Sequence, residues 1–196
     1  MRRALLATAL VLAPTLAFAH PGLPGHTHDL ATGFVHPFSG LDHVLAMVAV
    51  GLFAAQLGGR ALWLVPASFV AMMAAAGLAG MSGIALPLTE TGIALSIVVL
   101  GAAVALRLAL PLAAAMALVG FFAIFHGYAH GLETPATASG LLYGLGFVAA
   151  TAALHGIGIG IGLALGRIEG AFGGNLVRVA GSAAAVIGVV MLAGSV

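Results

Sequence analysis

The sequence predicts an all-α integral membrane protein with about six transmembrane helices behind a cleaved signal peptide. Three observations predict it. Hydrophobic residues make up 62% of the 196-residue chain and charged residues only 6%, whereas about a quarter of an ordinary soluble domain is charged. The apolar residues fall into stretches close to the roughly 17–25 residues that a spanning helix needs. The few arginines recur at alternate gaps between those stretches, the pattern of the positive-inside rule.

Met1-Arg2-Arg3 is a short basic start, followed by an apolar run from Ala4 to Leu16 that Pro14 interrupts. Ala17-Phe18-Ala19 fits the small-x-small rule of signal peptidase, so residues 1–19 read as a signal peptide and His20 as the mature N-terminus. Residues 20–39 read as an extracytoplasmic tail and helix entry. Its first part, His20 to Asp29, is Pro/Gly-rich and holds His20, His26 and His28. A free amine beside the His20 imidazole, with the other two rings, can recruit a metal ion. Histidines of no consequence in a disordered tail are the alternative.

Residues 40–196 read as the transmembrane domain. Its stretches run Gly40–Leu57, Ala61–Gly80, Thr91–Leu108, Leu110–His130, Ser139–Gly166 and Val179–Val196. The fifth is long and glycine-rich, and is expected to tilt or unwind. With the mature N-terminus outside, Arg60, Arg107, Arg167 and Arg178 all fall on the inner side. Asp29, Glu90 and Glu133 fall on the outer side.

Composition excludes several chemistries. There is no lysine and no cysteine. A Walker-type phosphate loop and a retinal Schiff base both need lysine. Disulfides, thiolate ligands and a thiol nucleophile need cysteine. Nothing in the chain points to nucleic acid or nucleotide as a partner. A metal site here would consist of His, Asp, Glu, Met, backbone and water.

Two clusters offer such donors. Phe125-His126-Gly127-Tyr128-Ala129-His130-Gly131-Leu132-Glu133 closes the fourth stretch. His126 and His130 lie one turn apart on a helical face, and Glu133 returns to the same side. Imidazole is the commonest side-chain ligand for first-row metals. Gly127 and Gly131 leave room for an ion or for another helix. Two histidines hydrogen-bonded at a helix end remain the alternative.

His36-Pro37-Phe38-Ser39-Gly40-Leu41-Asp42-His43 opens the first stretch. Ser39 and Asp42 have the spacing of a capping box. Pro37 keeps His36 out of a regular helix, so the chain can fold His36 back towards His43. Asp42 has two readings, helix cap and metal carboxylate. Met47, a turn beyond His43, offers a thioether or simply packs. The topology puts both clusters at the outer membrane level. His155 lies alone within the fifth stretch, and an ionisable residue at that depth is a deeper ligand or a proton carrier unless a neighbouring helix satisfies it.

At these residues the chain resembles the HupE/UreJ family of nickel (cobalt) permeases. The family's His-x5-Asp-His motif is matched by His36, Asp42 and His43. Its Phe-His-Gly-x-Ala/Val-His-Gly-x-Glu motif is matched from Phe125 to Glu133 without a departure. The resemblance implies a multi-pass protein of the bacterial cytoplasmic (inner) membrane. It also implies passage of Ni²⁺, or Co²⁺, into the cell for enzymes such as hydrogenase or urease. The metal would be cargo rather than a resident cofactor, His36, Asp42, His43, His126, His130 and Glu133 would be its ligands, and the chain would not be an enzyme. Two other classes stay open. One is a metal-dependent intramembrane enzyme. A serine protease of rhomboid type, which Ala138-Ser139-Gly140 and His155 resemble faintly, also falls in that class. The other is a membrane metal-binding or sensor protein without flux.

Overall fold

The structure is a computed structural model describing residues 29–134, 138–168 and 171–194. The expected signal peptide and His20, His26 and His28 lie outside the described residues. Within them the chain is all helical: α1 (Leu30–Val35), a 3-10 turn (His36–Phe38), α2 (Leu41–Leu57), α3 (Ala61–Met81), α4 (Thr89–Ala105), α5 (Leu112–Leu132), α6 (Ala138–Gly166) and α7 (Phe172–Gly194). Helices α3, α5, α6 and α7 are long and apolar enough to cross a bilayer, and α1 with α2 forms a bent pair that passes the same test together. Helix α4 has 17 residues, about 26 Å at 1.5 Å per residue, somewhat short of a hydrocarbon core of about 30 Å.

The bundle is assembled from close helix pairs made possible by glycine. A Cβ on Gly127 would run into the Met73 carbonyl, and one on Gly131 into the Gly77 carbonyl. The room beside the two histidines is therefore filled by α3. Gly101 and Gly181 bring α4 and α7 into backbone contact in the same way, and Gly51 and Gly158 do so for α2 and α6. In lipid no hydrophobic force drives helices together, so backbone approach at small residues supplies the packing. Large apolar side chains such as Phe121, Leu145 and Val186 are left exposed on the bundle surface, where a bilayer would cover them.

Three expectations need correction. Ser39 does not cap α2; Gly40 is the N-cap, and Ser39 Oγ instead donates to the His36 carbonyl at 2.6 Å. The capping box lies earlier: Thr32 N–H donates to Asp29 Oδ1 at 2.8 Å, and Asp29 N–H donates to Thr32 Oγ1 at 3.1 Å, starting α1. The glycine-rich fifth stretch does not unwind; α6 runs unbroken for 29 residues, because its backbone bonds are intrahelical and lipid offers no substitute for them. The last helix begins at Phe172 rather than Val179, so Arg178 stands inside α7, where its Nε donates to the Ala105 carbonyl at 3.1 Å. A charged residue is tolerated there because the guanidinium satisfies the open end of α4.

The helices alternate in direction. Arg60, Arg107, Arg167 and Arg178 consequently share one end of the bundle, and Asp42, Glu90 and Glu133 the other.

Candidate functional site

The site begins with a sharp bend. Pro37 ends α1 through a 3-10 turn, and Leu30–Phe38 meets Leu41–Leu57 at 83°. That turn folds His36 over the carboxylate end of the bundle instead of leaving it above α2. His36 Nε2 lies 3.8 Å from Glu133 Oε2, and His130 Nδ1 lies 3.9 Å from the same oxygen. One donor atom from each of His36, His130 and Glu133 lies within 4.8 Å of the other two. An ion about 2.1 Å from its ligands places neighbouring donors about 3–3.4 Å apart and opposed donors about 4.2 Å apart. Small side-chain rotations therefore close the group around one ion.

The carboxyl of Glu133 stands just past the end of α5. The neighbouring His130 ring, with a smaller effect from His36, holds it below the usual carboxylate range against the opposing effect of partial burial. It is ionised and ready to take a cation at neutral pH.

Beneath this group the imidazoles continue inward. Ring centroids of His36 and His130 are 5.1 Å apart, those of His130 and His43 5.1 Å, and those of His43 and His126 5.3 Å. His43 and His126 are each 1% exposed. His126 therefore sits a level below His130 rather than beside it, and His43 stands between them. The pair spaced by one turn of α5 reads as two successive levels of a file.

Hydrogen bonds fix which nitrogen each buried ring presents. Ser96 Oγ donates to the Ile93 carbonyl at 2.6 Å, so towards His126 Nε2, 2.8 Å away, it can only accept. The proton of neutral His126 is thus on Nε2, and Nδ1 keeps its lone pair. Thr151 holds the second ring. Its hydroxyl hydrogen-bonds His43 Nε2 at 3.2 Å and lies 3.7 Å from Met73 Sδ. His43 Nδ1 is buried with no hydrogen-bond partner among the described residues. A ring held through one nitrogen with the other bare is the arrangement in which imidazole ligates a metal.

Asp42 is placed differently. Its Oδ1 accepts the His43 backbone N–H at 2.8 Å, in the first turn of α2 and outside the group of three donors. It remains within electrostatic reach of His36 and of Glu90. Met47 is fully buried in the apolar core.

Sequence reading missed the wall of the file. Phe147 packs against three of the imidazoles, with centroids 4.4 Å from His130, 4.9 Å from His43 and 5.9 Å from His36. Tyr143 stands 5.7 Å from His36, and Phe69 lies 5.8 Å from His126 and 5.2 Å from His155. A signal was present. Tyr143, Phe147, Thr151 and His155 follow one another at intervals of four, one face of α6, and all are buried. An apolar cavity of about 370 Å³ opens behind this wall, between α3, α5 and α6, and reaches His130.

Ser139 and His155 stand sixteen residues apart on the same unbroken helix, about 24 Å along its axis. They cannot form a nucleophile–base pair, which needs hydrogen-bond reach.

Comparison with known proteins agrees with this picture of a polytopic helical protein. Residues 8–191 match the family model described as HupE / UreJ protein. The chain is 46% identical over 187 residues to Protein HupE of Rhizobium leguminosarum bv. viciae, covering 95% of each chain. No solved structure matches it.

Proposed function

This chain belongs to the HupE / UreJ family, and from that premise we propose that it carries a divalent transition-metal ion, nickel before cobalt, across the bacterial cytoplasmic membrane into the cell for nickel-enzyme maturation. The observation that carries the reading is the convergence of His36, from the 3-10 turn, with His130 and Glu133, from the end of α5, two imidazoles and one carboxylate at the acidic end of the bundle. With the mature N-terminus outside, that end faces out.

The chemistry proceeds from charge to ligand exchange. Asp42, Glu90 and Glu133 give the outer end a negative field that concentrates cations. A hydrated divalent ion is expensive to bring into an apolar bundle, so its waters must be replaced by donors as it enters. Glu133 supplies the first anionic oxygen, and His36 and His130 the first nitrogens. His43 and His126 offer the next lone pairs, each ring aimed by a hydroxyl behind it. Borderline cations such as Ni²⁺ and Co²⁺ prefer such nitrogen and oxygen donors to the hard oxygen cages of Mg²⁺ or Ca²⁺. The bridging of α1 back over the file explains why the first motif includes a histidine outside the regular helix.

Cells lacking their own nickel importers should accumulate labelled nickel when they express this chain, and His130→Ala should abolish that accumulation while the protein still inserts. Binding without accumulation would identify a sensor instead, and accumulation unaffected by His130→Ala would remove the site from the path.

A further inference from the structure

Below the levels already described, one titratable side chain has no evident structural task. His155 is 1% exposed, and both its Nδ1 and its Nε2 lack a hydrogen-bond partner among the described residues. A buried imidazole has a donor and an acceptor to satisfy, and leaving both unmet costs free energy that an apolar side chain would not. Its surroundings are not those of a satisfied core histidine. The Phe69 ring meets it edge-on at 5.2 Å, and Thr151, which holds His43, lies one turn above it on the same face of α6.

Its depth is set by packing. A Cβ on Gly51 would run into the His155 carbonyl, so the His155 backbone lies level with a residue eight positions beyond His43, about 12 Å further along α2. Helical side chains lean towards the N-terminus, and on α6 that direction is the outer end, so the ring reaches up towards the His43 and His126 level. Phe69 touches both sides of the gap, since it packs on His126 as well as on His155.

We propose that His155 is a second, inner binding position for the transported cation, taking a borderline divalent metal ion from the His43 and His126 level through an imidazole lone pair. The inference rests on the transport reading above and adds a station to it. Such a position supplies an imidazole ligand at a depth where the bundle interior is otherwise mostly apolar. It also explains why an unsatisfied polar ring persists in a core otherwise built of apolar side chains such as Phe53, Phe69 and Leu100. The cost of the orphaned ring in the resting protein is the cost of holding a ligand ready.

The test pairs flux with stability. Purified parent and His155→Leu are placed in lipid vesicles, and initial uptake of labelled nickel is followed over a range of concentrations. Thermal unfolding of both is followed in detergent without metal. His155→Leu should lower the maximal rate at least tenfold, leave the half-saturating concentration within about twofold, and unfold at the same temperature as the parent or higher. His155→Met, which returns a soft donor, should recover part of the lost rate. A His155→Leu rate within twofold of the parent overturns the inference, as does equal loss in the Met and Leu variants. A lowered unfolding temperature in His155→Leu also overturns it, because the ring would then be a packing element. Parent vesicles that take up no metal overturn the transport reading and this inference together, whereas normal parent uptake with unchanged His155→Leu overturns this inference alone.

Discussion

Replacing Glu133 by Gln isolates charge from shape at the mouth of the file. The side chain keeps its length and one oxygen, but the only carboxylate among the three converging donors is lost. In the resting protein the change is mild. Glu133 is 45% exposed and its contacts with His36 and His130 are 3.8 and 3.9 Å, so the pairs are worth about 0–1 kcal/mol. With a divalent ion bound, the arithmetic differs. A unit charge about 4 Å from another contributes about 1 kcal/mol even at the dielectric of water, so a 2+ ion loses about 2 kcal/mol, and several times that where water is partly excluded. The floor is therefore about a 30-fold rise in the half-saturating metal concentration. The assay is initial uptake of labelled nickel over a concentration series, normalised to protein in the membrane. A half-saturating concentration within threefold of the parent, at normal expression, would refute the assignment of Glu133 as an ion-facing carboxylate.

Three further outcomes follow from the geometry. Ser96→Ala removes the acceptor that fixes the His126 proton on Nε2 and should weaken metal affinity about 10–100-fold, the range for loss of a group that orients a ligand; equal affinity by equilibrium dialysis would release Ser96 from that role. Asp42→Asn retains an oxygen for the His43 N–H, and its lost charge acts from outside the donor group, so uptake at limiting metal should fall only about fivefold, on the order of 1 kcal/mol at twice the ligand distance. A drop of a hundredfold would make Asp42 a direct ligand. Metal binding should decline as pH falls while Glu133 is still ionised, because protons compete with the metal for the imidazole lone pairs before they reach that carboxyl. The Glu133 carboxyl is held below its ordinary range, so a loss that begins only below about pH 4.5 would assign control to carboxylates instead.

Much of the fold was legible because apolar length and arginine placement are one-dimensional signals. The helices appear where the stretches of hydrophobic residues are, and all four described arginines share one end. Pro37 announced the break that brings His36 over the bundle. The boundary at Phe172 was hidden because Arg178 looked like a loop residue, and only the exposed Ala105 carbonyl explains how it sits in a helix. The donors were legible by type, and their grouping was not. Spacing pairs His126 with His130, while the tertiary fold pairs His130 with His36 and inserts His43 between the two. Phe147, Ser96 and Phe69 escaped notice because apolar and small residues carry no chemical label in so apolar a chain. Their roles arise from which ring they touch.

The central claim is that this chain itself moves a metal ion by way of the His36, His130 and Glu133 group. Purified protein reconstituted into sealed lipid vesicles, with labelled nickel supplied to the acidic face, tests it most directly. The account predicts time-dependent accumulation inside the vesicles that saturates with metal and is lost in His36→Ala and His130→Ala proteins that remain folded. Label that stays bound to the outside, with no interior accumulation above empty vesicles, would contradict it.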